Sequence, residues 1–201
     1  MIICFEGPSA IGKTKLSESL SDQFNIVPEV NLLFERDETA TKLWYYEKQV
    51  ERYKLCKESR QSSILDGDIF QPLWYNWTYG YHSDFPSRQE TIDFYFQMIK
   101  EGQIQFPDLY ILFQADEDEL RQRKEADGSR TRRNFEKHLK LIEPQQKYFR
   151  FLAEETDVDV GFVHYTDFTA TEKVVTSLIQ SKSEHSKNDL DIFESAVNWL
   201  K

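Results

Sequence analysis

Three sets of side chains in this sequence have the types and spacing to handle a phosphoryl group. They are a lysine in a glycine loop, carboxylates near strand ends, and a run of arginines. Residues Gly7–Thr14 read GPSAIGKT, which is the spacing G-x-x-x-x-G-K-[ST] of a phosphate-binding loop. Gly7 and Gly12 permit backbone angles and a closeness of approach that a Cβ would block. The N–H groups of the loop, Ser9, Ala10 and Ile11 among them, and the start of the next helix then converge on phosphate oxygens. Lys13 is expected to reach the β- and γ-phosphates and the Thr14 hydroxyl to hold Mg²⁺, so ATP and Mg²⁺ are the expected cofactors.

Phosphoryl transfer also needs a carboxylate for the metal, cations over the moving group and a residue to orient the nucleophile. Asp66 ends the run SSILD, and a carboxylate at the carboxyl end of a parallel strand faces the ligand crevice. It is read as a Mg²⁺ ligand, the alternative being a cap on the next turn; Asp68 can share the role. Glu29, in VPEV, is placed to accept the proton of an acceptor hydroxyl, unless it is a plain surface glutamate. Arg121, Arg123, Arg130, Arg132 and Arg133 surround Gly128. Such a run is either a solvated face or a lid closing cations over phosphates, and its excess of one sign in an acidic chain favours the lid. Asp167, in DFTAT after the last strand, marks a loop able to wrap a purine, though this signal is weak. His82, His138, His164 and His185 show no ligand spacing and are read as structural or surface residues. The aromatics at 44–46, 74–81 and 94–96 belong to the core, with some available for a flat acceptor pocket.

Short apolar runs alternate with helical periods, which predicts an α/β fold around a parallel sheet. Five strands are expected, at 1–6, 25–30, 62–66, 108–115 and 160–165. Helices are expected from Lys13, with Leu16, Leu20 and Phe24 on the buried face, and over 38–60, 91–100, 116–124, 135–155 and 171–181. The helix over 135–155 should break or kink near Pro144, and 69–88 reads as loop with short helical pieces. Residues 125–134 are polar and contain glycine, so 121–134 is the expected lid. Residues 1–182 then form one domain. A polar linker and a helix carrying Leu190, Phe193, Val197 and Leu200, together 183–201, should pack back onto it.

The 201 residues suffice for one such domain with a substantial core. A net charge of −10 argues against a nucleic-acid partner. No apolar run reaches membrane length, and the sequence opens directly into a core strand, so no membrane partner or leader is expected. Cys4 and Cys56 show no metal spacing and read as buried thiols of a cytoplasmic protein.

With these residues in place, the chain resembles the P-loop small-molecule kinases of the nucleoside and nucleotide kinase superfamily. FEGPSAIGKT is similar to the opening of deoxynucleoside and thymidylate kinases. FNIVPEV resembles the second strand of deoxynucleoside kinases, whose glutamate acts as base, a role that falls on Glu29. PDLYILFQADEDELRQRKEADGSR is similar to the fourth strand and arginine lid, matching at Asp108, Leu120, Arg123 and the Gly128–Arg130 turn. HYTDFTATEKVV resembles the closing strand and adenine-side loop, which includes Asp167. The resemblance spans residues 1 to about 180. It implies a three-layer P-loop NTPase fold with helices on both faces of the sheet and an arginine-bearing lid, and homodimers are common in such families. The exposed face of the 38–60 helix is the candidate contact.

One position departs from the pattern. Those families carry an acid–arginine pair at the end of strand three, whereas Asp66 is followed by Gly67. The missing cation must come from elsewhere, with Arg88 or a lid arginine as the candidates. The favoured reading is ATP-dependent transfer to a hydroxyl of a small, ring-containing acceptor, nucleoside-like or another metabolite or antibiotic. Lys13, Glu29, Arg123, Arg130 and Arg132 would be catalytic, Arg133 and Asp167 would face the nucleotide, and Thr14 and Asp66 the metal. The alternatives are a nucleoside monophosphate kinase of thymidylate type and a nucleotide-hydrolysing regulator with no acceptor.

Overall fold

Ile2–Glu6 (β1) has an apolar residue at four of its five positions, and such a strand is stable only in a sheet covered on both faces. The computed structural model, which describes residues 1–83, 85–126, 135–183 and 186–201, buries all five. Asn25–Val27 (β2), Ser63–Asp66 (β3), Leu109–Gln114 (β4) and Val160–His164 (β5) complete a parallel sheet in the order β2-β3-β1-β4-β5. Side chains alternate along β1: Ile2 and Cys4 enter one apolar cluster, Ile3 and Phe5 the other. Lys13–Ser19 (α1) covers the second cluster, and Val30–Leu33 (α2) is a short turn after β2.

The first cluster is closed by Trp44–Glu58 (α3), Gln71–Thr78 (α4) and Arg88–Lys100 (α5). Glu117–Ala126 (α6) and Phe135–Leu139 (α7) join α1 on the opposite face. Ile142–Glu155 (α8) returns to the first cluster, Phe168–Ser181 (α9) to the second, and Asp189–Trp199 (α10) to the first again. These are the three expected layers. The first face is the aromatic one, with Phe70 stacked on Phe106 at 4.1 Å and Trp199 in contact with Trp77, Tyr148 and Phe151. Among the described residues, no helix is long and apolar enough to cross a membrane.

All five carboxyl ends lie along one edge, and β1 has β3 on one side and β4 on the other. In a doubly wound sheet that reversal opens the crevice where ligands bind.

Several boundaries differ from the sequence reading, each for a local reason. β2 stops at Val27 because Pro28 has no N–H to continue the ladder, so Glu29 follows the strand and begins the turn into α2. α3 starts at Trp44, not at 38, because Asp37 closes a turn by accepting from Thr39 N and Oγ1. The segment 69–88 holds an eight-residue helix, α4, whose Pro72 fits the first turn where no N–H partner is required. Pro144 likewise lies in the first turn of α8, so the expected break is a helix boundary between Leu139 and Ile142. Residues 121–126 of the expected lid belong to α6. Residues 127–134, and His185, lie outside the described residues.

Candidate active site

The phosphate loop bridges β1 and α1 as its sequence implies, and its backbone is tightly determined. Gly7 has φ +141, and a Cβ there would lie 2.6 Å from the Phe113 carbonyl oxygen, so no other residue fits. Ala10 holds φ 72, a left-handed conformation that costs a residue with a Cβ about 1 kcal/mol or more. Lys13 Nζ donates to the carbonyls of Gly7 at 2.8 Å and Pro8 at 3.3 Å, which holds the ammonium over the loop.

Beneath the loop lie two buried carboxylates. Glu6 Oε1 accepts from Gly7 N and from Gln145 Nε2 of α8, and Oε2 accepts from Asp68 N. Burial raises its pKa, with Lys13 opposing. Asp68 accepts from Phe70 N, Tyr110 Oη and Trp74 Nε1. Burial, reinforced by Glu6, pushes its pKa up to about 7. Asp68 is thus committed to the interior and does not share the metal position with Asp66.

Asp66 faces the loop. Its Oδ2 accepts from the Thr14 hydroxyl at 2.7 Å, and its Oδ1 is buried without a hydrogen-bond partner among the described residues. A buried carboxylate oxygen left unpaired is costly, and a cation or its water would satisfy it. Mg²⁺ suits such a place, since it takes one or two protein oxygens and completes its octahedron with water and phosphate oxygens. The residues present fit the metal.

Loop, Thr14 and Asp66 open into one cleft of about 790 Å³. Glu29 lines it, exposed, with its Cγ 3.7 Å from where a Cβ on Gly67 would stand. Gly67 has φ +91, so the Asp66–Gly67 turn itself disfavours the side chain that the resemblance led one to expect there. Across from the loop, α3 and α4 supply Tyr45, Tyr46, Gln71, Trp74, Tyr75 and Asn76. Tyr45 Oη donates to Gln71 Oε1 at 2.8 Å; its pKa is raised by burial, with Arg52 opposing and Glu29 reinforcing. Phe85, Pro86 and Leu141 add apolar wall, so part of the aromatic blocks does line a pocket.

The predicted arginines divide. Arg123 lines the cleft beside the loop, with Nη2 bonded to Thr166 O, Nη1 to Ile11 O and its guanidinium 4.2 Å from the Tyr165 ring centre. Arg121 points to solvent, paired with Glu117 and Glu136, and is no part of the site. Arg130, Arg132 and Arg133 lie outside the described residues. Arg88 is a correction: it opens α5 and donates Nη2 to the Val197 carbonyl of α10, away from the cleft. Asp167 caps α9, accepting from Ala170 N at 2.9 Å, and does not line the cleft.

Sequence reasoning missed four residues of the wall. Arg36 lies over the Trp44 ring and Lys42 bonds Ser83 O, and both line the cleft. His138 joins them. Arg52 is 1% exposed and is the cation at the Asp66–Gly67 turn. The sequence signal for it is slight: Arg52 stands beside Tyr53 and one turn before Cys56, on the face of α3 that the structure buries together with Gln49.

No protein-family model and no curated protein sequence matches the chain. Solved structures do. The deoxyadenosine kinase of M. mycoides, solved with dATP, superposes with a TM-score of 0.64 at 15% identity, covering 90% of this chain and 100% of that one. The thymidylate kinase of Candida albicans gives 0.57 at 16% identity over 93% and 96%. The YorR protein of Bacillus subtilis, solved with phosphorylated GDP, gives 0.57 at 16% over 92% and 99%. The chain therefore shares the three-layer fold of P-loop nucleoside and nucleotide kinases.

Proposed function

We propose that the protein is an ATP- and Mg²⁺-dependent phosphotransferase that moves the γ-phosphoryl group to a hydroxyl of a small ring-containing acceptor, nucleoside-like in the first instance. The observation that carries this is a single cleft lined by the phosphate loop, Asp66, Glu29 and an aromatic wall. In this reading Lys13 and the loop N–H groups hold the β- and γ-phosphates. Thr14 and Asp66 would hold Mg²⁺, which when bound would supply charge neutralisation at the phosphates. Glu29 accepts the proton of the acceptor hydroxyl as that oxygen bonds to the γ-phosphorus and the bridging P–O bond to the β-phosphate breaks, with ADP leaving. Arg123, with Arg130 and Arg132, covers the charge on the moving group. Arg133 and Asp167 remain candidates on the nucleotide side, the latter through its loop. The names of the structural neighbours, deoxyadenosine kinase and thymidylate kinase, support nucleosides or nucleotides as the acceptor class.

Arg36 and Lys42 favour a second reading, transfer to a nucleoside monophosphate, because two cations in the acceptor wall suit a phosphate-bearing acceptor. One assay separates the readings. ADP release from ATP·Mg²⁺ is followed with nucleosides, with dTMP, AMP, CMP and GMP, and with ring-containing antibiotics, and products are weighed by mass spectrometry. A nucleoside that accelerates release and gains one phosphoryl supports the first reading, and a monophosphate that does so supports the second. Slow ATP hydrolysis that no acceptor accelerates would replace both with a regulatory nucleotide-binding role. A cytoplasmic location agrees with two buried free thiols. The homodimer rests on the outer face of α3, where Leu55 is 40% exposed, and sedimentation tests it.

A further inference from the structure

The ladder between β2 and β3 ends at the pair Val27–Leu65. Beyond that rung the two chains carry the groups that matter most, Glu29 on one and Asp66 on the other. Pro28 has no N–H with which to continue the pairing. The connection is made by one side chain from below. Arg52 donates Nε to the Pro28 carbonyl at 2.8 Å, and Nη2 to the carbonyls of Asp66 at 2.7 Å and Gly67 at 3.0 Å. Nη2 also approaches Val27 O at 3.5 Å, and Nη1 donates to Gln49 Oε1 at 2.6 Å.

Every acceptor in that set is neutral, and among the described residues Arg52 forms no ion pair. A guanidinium that is 1% exposed and unmatched by a carboxylate carries a desolvation cost that a leucine on the same face of α3 would avoid. What the guanidinium supplies is geometry: a planar fork reaching two strand ends at once, which neither a lysine nor an apolar residue can do. It also lines the floor of the cleft, so its charge acts on whatever lies above.

We propose that Arg52 is the positioning residue of this site, a clamp that replaces the missing rungs between β2 and β3 and holds Glu29 and the Asp66 carboxylate at a set separation. The proposal rests on the phosphotransferase reading. Without the clamp the Asp66–Gly67 turn loses two of its backbone bonds, and Asp66 no longer meets Thr14 in register. The backbone of the Gly7–Thr14 loop keeps its own anchors, because it hangs on β1 and α1.

The test needs no acceptor. Binding of a fluorescent ATP analogue is measured in EDTA and in Mg²⁺ for the parent, Arg52→Lys and Arg52→Gly, with thermal unfolding recorded for each. Both variants are expected to fold and to bind the analogue in EDTA, while the enhancement by Mg²⁺ falls roughly tenfold or more, the usual scale for losing a group that orients a metal ligand. Ethylguanidinium added to Arg52→Gly should restore the enhancement, and ethylammonium at equal concentration should not. Parent-like Mg²⁺ enhancement in a folded Arg52→Lys overturns the proposal. So does failure of both variants to fold, which would assign Arg52 to core stability alone. A parent protein that binds no ATP analogue overturns the phosphotransferase reading first and this inference with it.

Discussion

The two halves of the cleft are built in different ways. The phosphate side is eight consecutive residues whose chemistry is mostly backbone, set by a glycine at φ +141 and an alanine at φ 72 between one strand and one helix. The opposite side is assembled from side chains between Glu29 and Gln145, drawn from the turn after β2, a loop and helices α3, α4, α7 and α8. A site made of backbone is local in sequence and nearly independent of its surroundings. A site made of side chains depends on where distant helices pack, and the same fold can carry many such walls. In the proposed phosphotransferase the first half would hold the donor phosphates, and the second would set what receives the phosphoryl group.

That contrast can be broken by substitution. Lys13→Ala should have the largest effect, a loss of turnover of roughly a hundred- to a thousandfold together with weaker ATP binding, seen in ADP release and nucleotide titration. Undiminished ATP affinity in that variant would undo the assignment of the loop. Glu29→Gln should lower kcat about a hundredfold and leave the KM for ATP where it was, because the base acts only on the acceptor. If ATP affinity fell with it, the two halves would not be separable. Tyr45→Phe removes the bond to Gln71 Oε1, worth about 1 kcal/mol, and should raise the acceptor KM about fivefold at constant kcat. An equal change in the KM for ATP would count against Tyr45 belonging to the acceptor wall.

The last expected effect is on stability rather than on turnover, and it concerns the layer beneath both halves. The folded Asp68 carboxyl keeps its proton up to about pH 7, whereas the unfolded one releases it near 3.8. Unfolding between those values therefore releases a proton, so this group favours the fold below the window and its contribution is lost as pH rises through it, by up to about 1.4 kcal/mol per pH unit. Chemical denaturation from pH 4 to 7 should show that decline in the parent and a flatter profile in Asp68→Asn. Identical slopes would mean that Asp68 is ionised in the fold.

How much was legible follows the same division. GPSAIGKT, the apolar strands and the stripe Leu16–Leu20 are properties of neighbouring residues, and the sheet, the loop and the Thr14–Asp66 pair appear where the sequence implied. Glu29 was singled out as the end of the expected strand 25–30, and it lines the cleft although Pro28 ends that strand earlier than its apolar pattern suggests. Arg88 was misassigned because its charge was visible and its partner, a carbonyl more than a hundred residues later in α10, was not. Arg52 was overlooked for the converse reason: in a helix mixed with lysines and glutamates its charge is unremarked, and only the packing of α3 under β2 and β3 brings it to two strand ends. Arg36 and Lys42 belong to a connection whose course no periodicity predicts.

One feature of the aromatic face has a practical side. Of the four tryptophans, Trp77 and Trp199 touch each other at 5.4 Å and do not line the cleft, and Trp44 lies under the Arg36 guanidinium. Trp74 alone lines the cleft, its indole N–H bonded to the buried Asp68 carboxylate. Emission from this indole should respond both to an occupant of the cleft and to the protonation of its partner. The molecule thus carries an optical probe in the wall of its own site, and a titration can be followed without any added label.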